Sequence, residues 1–457
     1  MDLNKINLGV ADSSLRQYWN AAKWRVFMSV WGRLSTPGRT PQPAKQRHYS
    51  ADNPESASYA RLLAYLLLVR FLRYRRADKL KYGFGHGGRA LSTMTTQEAS
   101  HIMTQLQELE FPYAFGKARK IALLKAGGIP TMSKLFAATG QNNRKTAGKR
   151  SVDTEILLRE VQSKDRQSIR YMQAVARMNY LHTRYRKAGK ILDEDLLHTL
   201  GSAVVAIFWI VDEKEWRSLS DVEKCAVGIF HRNLGEDMGI PYTLLPSSQT
   251  GWDNGLHFAE ELRDWTIGYE AAVAKPQPTN DEYVRVYVDS VTAKMPRIAT
   301  TTLRKVISSD LDDTMRTSLC MEAPGPILKS TLEFVTSSRK FALRHLHLPR
   351  SSSRAVKLVD DDPNPLSGLY NFNHKNFQPW YVRPSFWATW SPMAMILRSL
   401  GGRAPGTGGD RYHPSGYDLK TIGPKPQEGK GLEEMDVMVE FMGSRGIPGC
   451  PFHNGKI

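Results

Sequence analysis

Three side chains stand where chemistry could be done: Arg150, Thr154 and, about one helical hairpin later, His182. Val175, Met178, His182 and Tyr185 are spaced three, four and three apart, which sets the imidazole on the apolar stripe of a helix. An imidazole in an apolar pocket stays neutral, because low dielectric disfavours its cation, and neutral imidazole is a haem-iron ligand. Arg150, Asp153 and Thr154 fall at i, i+3 and i+4, one face of a helix. From that face a guanidinium can bind a haem propionate or a developing oxyanion, and a hydroxyl can hydrogen-bond iron-bound oxygen. Each group also has a plain structural reading. His182 can be a core histidine bonded to a backbone carbonyl. Residues 150–154 can be a helix start, with Ser151 as cap and Asp153 near the positive helix end.

Other motifs carry less. Gly83-Phe84-Gly85-His86-Gly87-Gly88 has dinucleotide-loop spacing but follows a basic helical segment rather than a buried strand, so it reads as a turn. His198 and His231 lie on helices without a second ligand at i+4, which leaves a zinc or di-iron site unsupported. There is no P-loop, nucleophile elbow or kinase signature. The three cysteines, Cys225, Cys320 and Cys450, are far apart and odd in number, which argues against a disulfide scaffold.

The elements that must position these groups are helical almost throughout after residue 55. Helices are expected over 97–110, from Ser163 to Lys190 around His182, from Asp193 to Val211 as a buried core helix, and from Ser220 to Met238. Gly239 and Pro241 stop the last of these. Further helices fit Asn254 to Tyr269, Asp281 to Thr292, Arg297 to Met321 and Pro326 to Leu346; only Tyr283 to Val288 alternates like a strand. Pro112 and Gly127-Gly128-Ile129-Pro130 break the pattern, with Thr131 or Ser133 as the next cap. From about Leu348 the texture turns rich in Gly, Pro and Trp, a tail expected to drape on the domain through Trp380, Trp387 and Trp390.

Charge is concentrated at one end. Of the net +18, an excess of 11 lies in residues 1–90, where 16 Lys/Arg face 5 Asp/Glu. With no nucleic-acid-binding signature, the cluster Arg70, Arg73, Arg75, Arg76, Lys79 and Lys81 reads as juxtamembrane rather than DNA-reading. The apolar run Leu62 to Val69 is eight residues, far short of the roughly 20 that span a bilayer, so 59–76 reads as a membrane-associated helix or a buried one. Residues 1–58 form a basic tail or targeting segment, and Arg47-His48-Tyr49-Ser50 has the look of a mitochondrial cleavage site. Residues 77–348 then form an all-α catalytic domain and 349–457 the tail.

Order and spacing carry a resemblance. Phe111-Pro112-Tyr113, Gly128 to Leu135, Arg150 with Asp153 and Thr154, and Arg177-Met178-Asn179 followed by His182 resemble the fungal MpaB-type oxygenases. So do Pro379 to Val382, Gly416-Tyr417, Ile422-Gly423-Pro424 and Gly449 to Phe452, and the likeness covers about residues 59–453. These are membrane-bound enzymes of mycophenolic acid biosynthesis and their relatives, sharing a catalytic domain with bacterial rubber oxygenase. The resemblance implies an all-α, globin-like domain holding haem b. His182 is then the proximal iron ligand, and Arg150 and Thr154 correspond to the distal Arg-x-x-Lys-Thr of rubber oxygenase. Asp153 stands in place of that lysine, which implies a more open distal site and speaks against rubber-like substrates.

The implied activity is haem-dependent O2 cleavage of a C=C bond in an isoprenoid or other lipophilic substrate. The endoplasmic reticulum (ER) is the implied location, with the mitochondrion as alternative. A haem hydroxylase or dehydrogenase of secondary metabolism, and a non-catalytic membrane-associated haem protein, stay open beside it; nucleic acid is not an implied partner.

Overall fold

Pro112 and Pro130 sit where their missing N–H groups cost nothing, at the first positions of two helices. That punctuation recurs along the chain. The structure, a computed structural model, describes residues 54–452 apart from 86, 141, 144, 293–296, 375, 376 and 447–450. The targeting reading of 1–53, and Cys450, lie outside the described residues. Among the described residues sixteen α-helices follow in order. They are α1 Pro54–Gly83, α2 Thr96–Gln105, α3 Pro112–Ala126, α4 Pro130–Ala138, α5 Ala147–Ser163 and α6 Ile169–Lys187. Next come α7 Asp193–Lys214, α8 Asp221–Asp237, α9 Gly255–Val273, α10 Pro278–Thr292, α11 Arg297–Ser308 and α12 Asp313–Ser318. The last are α13 Pro326–Phe341, α14 Phe386–Trp390, α15 Pro392–Ser399 and α16 Leu432–Ser444. No strand forms among the described residues, only isolated bridge pairs such as Tyr370 with Tyr417. The all-α expectation holds.

Residues 54–61 are the opening turns of α1, and the chain from Leu62 onward is one unit with a continuous core. Its centre is α7, packed against α3 and α9, with Leu197, Val204, Ile210 and Val211 fully enclosed. Asp193, Glu194 and Asp195 complement the positive end of this helix. The neighbouring pair α8–α9 approaches closely because it is glycine that touches glycine: a Cβ on Gly228 would lie 1.8 Å from the Gly255 carbonyl oxygen.

Several boundaries differ from the sequence expectation for physical reasons. Neither Thr131 nor Ser133 caps α4; Ile129 precedes Pro130, while Thr131 donates to Asp195 and Ser133 bonds Pro130 and Thr279. Ser151 lies inside α5, which begins four residues earlier. The His182 helix starts at Ile169 behind the Ser168 cap, not near Ser163, and Gly189 follows its end with φ 63°. Val284 and Val288, four apart, are buried on one side of α10, so the strand-like alternation belongs to a helix. Residues 297–321 form two helices, separated where Asp312 caps α12. Of the three tail tryptophans only Trp380 is buried; Trp387 and Trp390 are exposed.

The tail is nonetheless tied down, chiefly by Arg177 of α6. Its fully buried guanidinium donates to four tail carbonyls: Nε to Ile422 at 2.7 Å, Nη2 to Thr421 at 3.1 Å and Gln427 at 2.9 Å, and Nη1 to Lys430 at 3.2 Å. Next to it, Gly431 (φ 74°) lies against the Tyr180 ring, where a Cβ would come within 2.1 Å. Replacing Arg177 by Met strands these carbonyls without a donor, and should lower unfolding free energy by roughly 3 kcal/mol. Urea denaturation measures that loss, and amide exchange over 421–431 should accelerate with it. A variant as stable as the parent, with an equally protected strap, contradicts the assignment.

Candidate functional site

Helix α5 divides its residues between two neighbouring environments. Arg150 and Thr154, four apart, share one face; Lys149 and Asp153, also four apart, share the next. Arg150 points among aromatic rings, its guanidinium carbon 4.7 Å from the centre of the Phe136 ring on α4 and within electrostatic reach of Tyr283 and Tyr185. It forms no ion pair with a carboxylate among the described residues. Burial pulls its pKa below the ordinary guanidinium value.

His182 lies in the second half of α6, whose last turn carries Arg184, Arg186 and Lys187. Val175 and Met178 of the same stripe are buried, as the spacing predicts. No described residue hydrogen-bonds the ring. Its pKa is pushed down to about 4, first by desolvation and then by the positive charges of Arg150 and Arg186. At neutral pH it is therefore an uncharged imidazole with a lone pair to give. An imidazole of that kind beside an uncompensated guanidinium suits a metal-bearing group that also carries carboxylates, so this donor set fits haem iron and propionate.

Thr154 donates its hydroxyl proton to the Arg150 carbonyl at 2.9 Å, which leaves its oxygen only as an acceptor. Asp153 does not join Arg150 and Thr154, contrary to the shared face expected of it. It receives Lys149 Nζ at 2.8 Å and the Tyr381 hydroxyl at 2.7 Å, and Lys149 also donates to the Gly423 carbonyl at 2.8 Å. Asp153 is thus a tail latch. Sequence reasoning missed Lys149, Tyr381, Phe136 and Tyr283; only Lys149 left a signal, four residues before Asp153.

His198 and His231 are structural. His198 Nε2 lies 3.0 Å from Glu270 and 3.1 Å from Ser202, and His231 Nδ1 donates to the Val227 carbonyl at 2.8 Å. No cluster of three potential metal-binding side chains occurs among the described residues. Two open clefts, of about 520 and about 600 Å³, lie elsewhere; neither is lined by Arg150, Thr154 or His182.

No protein-family model matches the chain. Curated proteins do. An "ER-bound oxygenase mpaB'" of Penicillium brevicompactum is 35% identical over 422 residues, 92% of this chain and 100% of that protein. An "ER-bound oxygenase mpaB" of the same species is 35% identical over 357 residues, covering 78% and 84% of the two chains. Its namesake in Penicillium roqueforti (strain FM164) is 37% identical over 260 residues, 56% of this chain and 87% of that one.

Burial raises the Asp153 carboxyl to about 6, against the lowering pull of Lys149 and Tyr381. A carboxyl whose pKa is higher folded than unfolded stabilises the fold at low pH. That contribution is complete below about pH 4 and is lost as pH rises through about 6. Relative to Asp153→Asn, the parent should therefore lose on the order of 2–3 kcal/mol of unfolding free energy between pH 4 and 7. Paired urea titrations at the two pH values measure it; a difference that does not change with pH contradicts a raised pKa.

Proposed function

The chain belongs to the MpaB-type oxygenases, and on that premise we propose that it is an ER-associated haem enzyme that splits a C=C bond of a lipophilic, isoprenoid-like substrate with O2. The observation that carries this reading is the pairing of neutral His182 with an Arg150 that has no carboxylate partner among the described residues. His182 would hold the iron through its lone pair, and Arg150 would hold a propionate or steady negative charge that develops on oxygen. A haem b bound there supplies the redox-active iron for O2 chemistry.

The protein's own residues do the rest. The Phe136 ring lies against the Arg150 guanidinium, with Tyr283 and Tyr185 within electrostatic reach, and burial there strengthens its field. Burial first, and then the positive charges of Arg150 and Arg186, push the His182 pKa down to about 4, so the imidazole is uncharged at neutral pH. Thr154 fixes the Arg150 end of α5 through its bond to that carbonyl, and presents an acceptor rather than a donor. Cleavage of one C=C bond by one O2 places one oxygen atom in each of two carbonyl products, so the balance needs no external reductant.

Haem-loaded protein incubated with prenylated substrates should consume O2 and release paired aldehyde or ketone products, read by mass spectrometry with labelled O2. Arg150→Gln should lower turnover by about 10²-fold, and Thr154→Val by much less. A hydroxylated, uncleaved product would replace the cleavage reading with a hydroxylase. Equal turnover in Arg150→Gln would remove Arg150 from the site.

A further inference from the structure

Two buried arginines carry more donors than the fold supplies with acceptors. Arg119 on α3 and Arg159 on α5 are each only 4% exposed. Arg119 Nη1 donates to the Gln162 side chain, whereas its Nε and Nη2 meet no acceptor among the described residues. The Arg159 guanidinium makes no hydrogen bond or ion pair among the described residues, and its Nε is enclosed. Burial lowers the pKa of both, that of Arg159 to about 10, and an arginine so placed keeps its proton at neutral pH.

The two guanidiniums share one gap. Gly116 and Arg119, three apart, lie on one face of α3, and a Cβ at Gly116 would stand 3.7 Å from Arg159 Nη2. Glu155, one turn before Arg159 on α5 and 6% exposed, is within electrostatic reach of both arginines. Its carboxylate nonetheless pairs with neither, and Oε1 is enclosed without a donor among the described residues. Two guanidiniums against one carboxylate leave one positive charge uncompensated. Glu108, the other acid near Arg159, feels Lys357, Asp361 and Lys164 more strongly. Enclosed cations without acceptors are costly, and a guanidinium fork matches an oxyanion in shape and charge.

We propose that the gap between α3 and α5 at Arg119 and Arg159 is a binding site for a singly charged oxyanion, a carboxylate held between the two guanidinium forks. Lys120, the exposed neighbour of Arg119, adds a positive charge at the surface end, 3.4 Å from His374 Nε2. Arg159 stands nine residues beyond Arg150 on the same helix, a rise of about 13 Å. Helix α10 runs alongside, with Tyr283 within reach of Arg150 and Tyr287, one turn on, within reach of Glu155. The carboxylate is therefore either a small free anion or the acid end of a lipophilic chain that extends toward Arg150. The inference stands on the arginines and not on the haem.

Thermal unfolding of the full chain in rising acetate, with ionic strength held constant by HEPES salt, tests it. The parent Tm should climb along a saturable curve. Arg159→Met should weaken acetate binding about tenfold or more, without lowering Tm in acetate-free buffer, because it removes an uncompensated charge. Glu155→Gln leaves both positive charges unopposed and should tighten acetate binding about tenfold. Farnesoic acid beside farnesol separates the two sources. A shift larger than that of acetate, absent with the alcohol and lost in Arg159→Met, assigns the site to the acid end of a chain; a shift no larger than that of acetate assigns it to a free anion. A parent with no saturable response, as ordered water alone in the gap would give, overturns the proposal. So does an Arg159→Met variant that responds like the parent, or a Glu155→Gln variant that responds less. Unaltered visible spectra in these variants keep this outcome separate from that of the haem reading.

Discussion

The buried guanidinium of Arg177 is the constraint on which the arrangement depends. A charge enclosed this completely persists where its donors find acceptors, and carbonyls from Thr421 to Lys430 take four of its five N–H groups. Arg177 and His182 lie five residues apart on α6, so the helix that carries the imidazole is also the one to which the tail is strapped. Asn179, between them, donates to the Asp237 carbonyl at the end of α8, holding the same helix from another side. His182 is in this way presented from a helix with little freedom to shift.

Helix α5 answers α6 with a division of labour along four residues. Lys149 and Asp153 close the tail through Tyr381 and Gly423, while Arg150 lies against the Phe136 ring. Asp153 therefore belongs to the latch and not to the Arg150 side of the helix. The same latch explains why a Gly/Pro-rich tail is ordered at all: its carbonyls and phenols satisfy charges that the helices would otherwise bury alone.

Helices with complete local signals were legible in the sequence. Ser220 with Glu223 forms a reciprocal capping box, and Gly239 (φ 61°) ends that helix as its chemistry requires. His182 and its stripe were legible because 3.6-residue periodicity fixes a face without knowledge of neighbours. What pairing decides was not legible. The valines of 284–288 alternate in sequence, and only packing shows that a helix uses them. Asp153 could be placed beside Arg150 by spacing, but its partner Tyr381 lies 228 residues away. Likewise the apolar run of α1 was visible, whereas its hydrogen bonds to the Leu346 and Leu348 carbonyls come only from the folded chain.

The central claim is that His182 holds a haem iron, and the visible spectrum of the purified protein beside His182→Ala, with a pyridine haemochrome assay, tests it most directly. A stoichiometric Soret band of b-type haem in the parent, lost or shifted in a folded His182→Ala, is the expected result. A parent that stays haem-free after reconstitution, or a variant with an unaltered band, would contradict the account.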